Sequence, residues 1–429
     1  MRLSRFGHSF DRRSPRARLA GFLLGSLLLI VPARAQETIR PITLKEALDL
    51  FAQHNLALRV LRAEADAQAG LAHQAAAFPN PTVMLTHEPL FDDGDTYSET
   101  YLTLSQRIEW PGLRRARIDA AQRLTTAARV RVRADSLRLA FEVIRTYIDA
   151  VSEKERQSVL QAVTDVIRQA EASWTSQHAE GEVSGYDLRR IRVERARYEN
   201  ALALADLDNR AARRRLALLV LPEGDAIALA PSDRLDGTPA PLALDDLLSR
   251  AQTGRPEVAS ARSEAEASEA ALVRARLERR PEPTLTAGLK RQSDGFEGLY
   301  LGAALGLPLF NRNTGQIMAE TARLHAAETR RILALRQIEN EVRQAYATYA
   351  SLRDRTALIQ DNLLAETDDL LQIALTSYGE GEMTLVELLD AAAAFRDARL
   401  TSLDLRAAFW TSYYEVLHAA GGPPPTSFN

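Results

Sequence analysis

The residues of this 429-residue sequence that could do chemistry are a pair of carboxylates and a set of scattered histidines. Glu387 and Asp390 are three residues apart, which places both carboxylates on one face of a predicted helix. Acidic groups that surround a pore favour cations. Six histidines follow the first 35 residues, and none has the close spacing of a metal site: His54, His73, His87, His178, His325 and His418. We therefore expect no resident metal and no cofactor.

No catalytic motif accompanies these residues. The sequence contains no nucleophile elbow, P-loop or dinucleotide-binding fingerprint. It also contains no cysteine, so a cysteine nucleophile and a thiolate metal site are excluded. We expect that the protein is not an enzyme.

The first 35 residues predict a cleaved export signal. Basic residues precede an apolar run from Leu19 to Val31, and Ala33-Arg34-Ala35 resembles a signal-peptidase site. Removing this segment moves the formal net charge from −3 to −9, which argues against nucleic acid as a partner. Without a cysteine to acylate, we expect no N-terminal lipid, so the fold itself must hold the protein in any membrane.

An internal repeat with an offset close to 200 residues organises the rest of the chain. The matching segments are 44–48 with 244–248, 79–82 with 281–284, Pro111 with Pro308, and 181–184 with 381–384. We predict a first structural repeat over 36–221, a linker over 222–241, a second repeat over 242–420 and a C-terminal tail over 421–429. The linker is rich in Pro, Gly, Asp and Ala, which predicts a non-helical connection.

Each repeat is predicted to contain a helix, two strands and a long helical hairpin. The opening helices, 44–78 and 242–280, end at a Pro-x-Pro segment. Alternating apolar and polar residues predict strands at about 82–90, 97–108, 284–291 and 298–308. Residues 113–180 and 316–378 lack Gly and Pro, so each predicts a helix far longer than the usual 11 to 12 residues or so. The hairpin tips are expected near 181–185 and 379–385.

The second long run also carries the spacing of a coiled coil. Its apolar or small residues alternate at intervals of three and four, which predicts one buried stripe. The residues of this stripe are Leu335, Ile338, Val342, Ala345, Tyr349, Leu352, Ile359, Leu363, Leu370 and Ile373.

The predicted strands require more than one copy of the chain. Four strands cannot close a barrel, which needs about eight, and an open sheet would leave unpaired backbone groups in lipid. Strands of about 9 to 11 residues match a tilted crossing of a bilayer. Several chains are therefore expected to contribute strands to one membrane β-barrel.

The two-copy order of helices and strands resembles the TolC-type outer-membrane factor family, the outer membrane efflux proteins, over essentially the whole chain after the signal. Segments 78–81, 109–114 and 307–313 look like those of its CzcC-type heavy-metal branch. The resemblance implies a mostly α-helical protomer of two repeats and a homotrimer. Its twelve strands would form one outer-membrane β-barrel, and its long helices would form a coiled-coil periplasmic tunnel.

The same resemblance implies a function and partners. The protein would be the outer-membrane channel of a tripartite efflux system in a Gram-negative bacterium, with most of the chain in the periplasm. It would passively conduct substrate, expected to be heavy-metal cations, from an inner-membrane pump of the resistance-nodulation-division class and a periplasmic adaptor (membrane fusion) protein. Two alternatives stay open: a duct for drugs or type I protein secretion, and a soluble periplasmic coiled-coil adaptor or scaffold.

The resemblance also assigns roles to residues at the two hairpin tips. Adaptor docking would involve Gly181, Glu182, Val183, Ser184 and Gly185 in the first repeat and Gly381, Glu382, Met383, Thr384 and Leu385 in the second. The channel entrance or gate would consist of Asp187, Arg190, Glu387 and Asp390. We hypothesise that Asp187 and Arg190 form ion pairs with neighbouring helices that keep the mouth closed. In a trimer, Glu387 and Asp390 would become a ring of six acids.

Overall fold

Long helices contain most of the residues that the structure, a computed structural model, describes: 39–93, 95–180, 184–222, 228–359 and 369–422. The mostly α-helical fold class expected from the sequence is confirmed. The helices are α1 Leu44–His54, α2 Leu56–Ala76, α3 Pro111–Ala179, α4 Gly185–Val220, α5 Leu244–Gly254, α6 Pro256–Leu277, α7 Thr314–Ile359, α8 Leu370–Gly379 and α9 Leu385–Ala419. The predicted export signal lies outside the described residues.

The strands occur where the sequence changes from helical periodicity to alternation. They are β1 Ile39–Ile42, β2 Thr82–Asp92, β3 Asp95–Arg107, β4 Ala228–Pro231, β5 Pro283–Gln292 and β6 Glu297–Leu305. The strand β6 ends at Leu305, three residues before the predicted position 308. Gly306 and Pro308 follow it, and a proline has no N–H to donate to a further strand hydrogen bond. Among the helices of the described residues, none has both the length and the apolar character needed to cross a bilayer.

The opening helix of each half is broken in two, so the single helices predicted over 44–78 and 242–280 are wrong. Asn55 has an extended backbone, and its side chain accepts the Leu58 N–H at 2.9 Å to cap α2. Its amide nitrogen also donates to the Leu219 carbonyl at 2.9 Å. Arg255, 200 residues later, likewise donates to the Ala419 carbonyl at 2.9 Å. In both halves the break therefore ties the opening helix to the last turn of a returning helix.

The predicted linker is partly ordered against the helices. Strand β4 lies within it and pairs in parallel with β1. The Asp233 carboxylate accepts the Leu44 N–H and the Tyr147 hydroxyl, both at 2.8 Å. Trp410 donates its indole N–H to the Leu235 carbonyl at 3.1 Å. Tyr147 and Trp410 are fully buried in the largest apolar cluster, so the linker is held by the core of the helical body.

The main sheet is antiparallel, in the order β2-β3-β5-β6, and its two faces differ in polarity. One face carries two cross-strand rows of exposed apolar residues, Val83, Leu104, Ala287 and Leu301 in the first row and Leu85, Leu102, Leu289 and Leu299 in the second. On the other face Glu99 accepts from Lys290 at 2.8 Å and from Gln292 at 2.7 Å. One face of the sheet therefore carries apolar side chains, and the other carries a network of hydrogen bonds and ion pairs.

The helices form two layers that follow the order of the sheet. Next to the sheet, α2 packs on α3, α3 on α6 and α6 on α7. Farther away, α4 packs on α3, α3 on α9 and α9 on α7. At 1.5 Å per residue, the 69 residues of α3 extend for about 100 Å. One end of α3 is therefore far from the strands.

The predicted coiled-coil stripe of α7 is buried only in its middle. Ile338, Val342 and Tyr349 are buried, and they contact the second half's own helices. Leu335 is 36% exposed, and Ile373, on α8, is 58% exposed. Position 363 and the side chain of Ile359 lie outside the described residues. The described ends of the stripe are therefore more exposed than its middle.

Candidate functional site

The first hairpin tip is set by the cap of α4. The Ser184 hydroxyl oxygen accepts the Asp187 N–H at 3.2 Å, and the hydroxyl donates to the Asp187 carboxylate at 2.6 Å. A serine in this position satisfies one of the free N–H groups of a helix start. Gly181, Glu182 and Val183, predicted to dock an adaptor, lie outside the described residues. Ser184 and Gly185 are exposed.

The second tip is a turn closed by a capping box. Gly381 has a φ of +79°, a left-handed conformation that favours glycine. The Glu387 carboxylate accepts the Thr384 N–H at 2.8 Å and the Thr384 hydroxyl at 2.7 Å, and the Glu387 N–H donates back at 3.3 Å. The hydrogen bond from the Thr384 backbone, followed by that from its hydroxyl, lowers the pKa of Glu387. These hydrogen bonds hold the Glu387 carboxylate at the start of α9.

The four predicted gate residues are brought to the same end of the molecule, where they differ in their surroundings. Asp390 is exposed, while Asp187 and Arg190 are half-buried. Within the described ranges none of the four forms an ion pair, so the hypothesis of closing ion pairs with neighbouring helices stays a prediction. Burial raises the pKa of the Tyr378 phenol, and the charge of Asp187 raises it further. Asp187 on the first hairpin is thus close to the second.

An apolar cluster joins the two hairpins near their tips. The indole of Trp174 on α3 stacks on the ring of Tyr378 on α8, with centroids 6.2 Å apart and planes within 10°. Around them lie buried residues of α3, α4, α8 and α9, including Ile167, Ile191, Leu388 and Ala392. Trp174 and Tyr378 were not predicted to belong to this site. Each Gly-free run contains other aromatic residues, so the sequence alone did not single these two out.

A buried carboxylate forms ion pairs between the two helices of the first hairpin, near its tip. Glu171 on α3 has a side chain that is 11% exposed, and it pairs with Arg195 at 2.9 Å and Arg192 at 3.3 Å, both on α4. Nearby, Arg168 pairs with Glu199 at 3.1 Å. A buried charge must be paired, and losing one partner is strongly destabilising. The sequence did not reveal this network because its members are more than 20 residues apart.

The histidines do not converge. His418 stacks on Phe141 with centroids 4.9 Å apart, and burial lowers the pKa of His418. His87 contacts the Thr100 hydroxyl at 2.9 Å in the sheet. Within the described part of the chain, no group of three or more His, Cys, Asp or Glu side chains could hold a metal ion.

Comparison with known proteins gives two kinds of match in sequence. Residues 247–422 match the family model of the outer membrane efflux proteins. The chain is 27% identical over 383 residues to the cobalt-zinc-cadmium resistance protein CzcC of Cupriavidus metallidurans, covering 87% of this chain and 88% of CzcC. It is also 27% identical over 183 residues to the cation efflux system protein CusC of Escherichia coli, covering 39% of this chain and 38% of CusC.

Solved structures share the fold. The CmeC outer membrane channel of Campylobacter jejuni superposes with a TM-score of 0.75 at 17% identity, covering 97% of this chain and 95% of CmeC. A crystal structure of CusC superposes with a TM-score of 0.70 at 20% identity, covering 89% of this chain and 92% of that one. The described architecture, sheet and long hairpins together, is that of these channels.

Proposed function

We propose that this chain, which belongs to the outer membrane efflux protein family, is the outer-membrane channel of an efflux system for heavy-metal cations. The observation that carries the proposal is the match to CzcC, which extends over 87% of the chain and so includes both the sheet and the hairpins. The protein acts by conduction rather than catalysis. Its partners are the adaptor and inner-membrane pump of a tripartite system.

The polarity of the sheet supports a β-barrel in the outer membrane. Leu299 and Leu301 are 80% and 77% exposed on one face, where water would solvate them poorly. Membrane barrels alternate in this way, with apolar residues toward lipid and polar residues toward the lumen. The Glu99–Lys290 network would then line the pore. Strands of 9 to 13 residues are long enough for a tilted crossing.

The open edges support assembly with further copies. The sheet ends at β2 and β6, and the layers of helices end at α2 or α4 on one side and α7 on the other. The edge helices carry exposed apolar residues, including Leu218 at 84% on α4 and Leu358 at 64% on α7. Joining β6 and α7 of one copy to β2, α2 and α4 of the next would bury all of these edges together. Three copies would give the twelve-stranded barrel and tunnel implied by the family.

The hairpin tips are the proposed periplasmic mouth. They lie about 100 Å from the strands, at the other end of α3. In the trimer, the exposed Asp390 and the capped Glu387 would face a constricted entrance, and Asp187 and Arg190 would pair with neighbouring helices to close it. The exposed tip residues, among them Ser184, Gly381 and Glu382, would contact the adaptor. The two-repeat division of the chain at 222–241 would place one tip of each kind in every protomer.

Asp390→Asn is expected to lower the cation preference of the channel more than Glu387→Gln. Asp390 is exposed and has no ion-pair partner in the described ranges, so in the proposed trimer its charge would act on the pore without an offsetting cation. The charge of Glu387 is already partly offset by the Thr384 N–H and the helix start. Reversal potentials in planar bilayers under a potassium chloride gradient measure this preference. Equal reversal potentials for the wild type and Asp390→Asn would count against a role of Asp390 in selectivity.

A strain that lacks this protein is expected to lose tolerance to cobalt, zinc or cadmium, with tolerance restored by the wild-type chain. Growth on graded metal concentrations measures the effect, and drug sensitivity is measured in parallel. Unchanged metal tolerance with raised drug sensitivity would favour the drug-duct alternative. Recovery of the protein in the aqueous fraction after the membranes are washed with urea would refute the channel itself.

A further inference from the structure

A groove of about 480 Å³ lies where the sheet meets the helices. It is formed by the end of β3, the first turns of α3, the connection from α6 to β5 and the connection from β6 to α7. The roles proposed above for the tips and the mouth do not use this groove. Its charged lining residues are Arg107, Arg117, Arg279, Arg280, Glu109, Glu278 and Glu282.

The sheet register shows on which side of the sheet the groove opens. Arg107 pairs with Thr284, and Thr284 pairs with Ala304, so these three residues share the polar face. The Glu282 carboxylate lies 3.6 Å from the Arg107 guanidinium, on the same side. Membrane barrels keep polar residues toward their lumen. The groove therefore opens toward the proposed pore, at the end of the barrel nearest the tunnel.

Each glutamate of the groove has an arginine partner. Besides the pair just described, Arg117 binds Glu109 through two guanidinium nitrogens. Glu278 lies 2.9 Å from Arg274, which is not among the lining residues. An ion pair of this kind carries no net charge, so its effect on an ion in the pore largely cancels. Every negative charge of the groove is therefore offset.

Two positive charges of the groove are not offset. Arg279 and Arg280 are both exposed, and neither has an ion pair among the residues that the structure describes. They belong to the connection between α6 and β5, which are interior elements of the protomer. Helix α6 packs on α3 and α7, and β5 pairs with β3 and β6. Further copies would join at the outer elements, so the two charges stay in the middle of each protomer.

The other charges on the polar face of the strands are either paired or distant. Glu99 and Lys290 pair at 2.8 Å. Glu88 is exposed, lies opposite Glu99 in the register and has no ion pair in the described ranges. Glu99 is eight residues from Arg107 along β3, which is about 27 Å at about 3.4 Å per residue. The Debye length at about 0.1 M salt is only about 10 Å, so Glu88 does not offset the arginines.

We propose that Arg279 and Arg280 form an anion-favouring ring where the barrel meets the tunnel. In a trimer the two residues would place six guanidinium groups around the lumen. Rings of arginine favour anions in a pore, as rings of acids favour cations. The sign of this ring is opposite to that proposed for Glu387 and Asp390 at the mouth. The inference rests on the proposed function, because the polar face lines a lumen only if the sheet closes into a barrel.

Opposite fixed charges at the two ends of a pore make its conductance depend on direction. The acidic end is enriched in cations and the basic end in anions. A field that drives cations from the mouth to the barrel also drives anions from the barrel to the mouth, so both ions accumulate between the two zones and the current rises. The reverse field draws both ions out of this region, and the current falls. The channel would therefore conduct better in the direction of efflux.

Reversal potentials and current–voltage curves of the full-length protein, inserted into planar bilayers from one side, test the proposal. We expect Arg279→Gln/Arg280→Gln to raise the cation-to-anion permeability ratio at least about twofold in about 0.1 M potassium chloride and to reduce the asymmetry of the current. The effect should shrink in about 1 M salt, where the Debye length is about 3 Å. The matched control, Arg279→Lys/Arg280→Lys, keeps both charges and should conduct like the wild type.

Several results would overturn the proposal. They are an unchanged permeability ratio in the glutamine variant, an equal shift in the lysine variant, and a shift that does not depend on salt. A wild-type current that is equal in both directions would refute the dependence on direction. Oligomeric state is measured on the same samples. A wild type that neither assembles nor conducts refutes the channel function, whereas a glutamine variant that assembles and conducts with wild-type selectivity refutes only the arginine ring.

Discussion

Ala303→Arg is expected to reduce the folded assembly in the outer membrane sharply, whereas Ala304→Arg is tolerated. The two alanines are neighbours on β6 and are both exposed, but they belong to opposite faces of the sheet. Ala303 pairs with Leu285 on the apolar face, and Ala304 pairs with Thr284 on the polar face. Arginine on the lipid face of a barrel costs about 2 to 4 kcal/mol per chain at mid-depth and less near the headgroups.

Ala303 is two residues from the middle of β6, so we expect Ala303→Arg to destabilise the folded barrel by about 2 kcal/mol per protomer. If several protomers close one barrel, this cost applies to each of them. The amount of heat-modifiable oligomer in outer-membrane fractions measures assembly, and the neighbouring Ala304→Arg controls for the added charge and volume. Equal assembly of the two variants, or a larger loss for Ala304→Arg, would show that the apolar face does not contact lipid.

Trp174→Ala is expected to loosen the mouth and raise the single-channel conductance while leaving the oligomer intact. Trp174 is 9% exposed and provides the stacking contact between the first hairpin and Tyr378 of the second. Truncating a buried tryptophan costs about 3 to 5 kcal/mol. We expect the destabilisation to be confined to the tip, because Trp174 belongs to the apolar cluster of the tips and the cluster around Tyr147 and Trp410 is separate from it. Planar-bilayer recordings of the purified variant measure the effect.

Tyr378→Phe is the control for this experiment. The Tyr378 hydroxyl is buried without a hydrogen-bond partner in the described part of the chain, so removing it keeps the stacked ring and costs little. Its conductance should remain that of the wild type. If Trp174→Ala also conducts like the wild type, the stacking of the two hairpins does not hold the mouth closed, and the ion pairs proposed for Asp187 and Arg190 become the stronger explanation.

Among the described residues, no group of three or more His, Cys, Asp or Glu side chains could hold a metal ion. The histidines of the described residues are scattered, and the tip carboxylates proposed to line the entrance would act on cations through charge. The proposed duct would select by sign and size, and the choice among metals would then belong to the pump that delivers them. The matches to CzcC and CusC support cations as the cargo.

Local sequence predicted the long helix α3 and the four strands of the main sheet. Gly-free and Pro-free runs predict the long helices, since nothing in 113–180 interrupts their backbone hydrogen bonds, and α3 extends over Pro111–Ala179. Alternation predicts strands near 284 and 298, and β5 and β6 begin at Pro283 and Glu297. The family resemblance, carried by the repeated order and by short Pro-bearing segments, is confirmed by the comparisons.

Contacts between distant residues could be seen only in the tertiary structure. The breaks at Asn55 and Arg255 depend on carbonyls 164 residues away, and the strand in the linker depends on β1. Glu387 is a different case: it closes a capping box with Thr384, three residues away, and the Thr-x-x-Glu spacing already signals this local contact in the sequence. Periodicity reports the hydrogen bonds and faces of one segment. It does not report which segments meet, because that is decided by the burial of apolar surface across the whole fold.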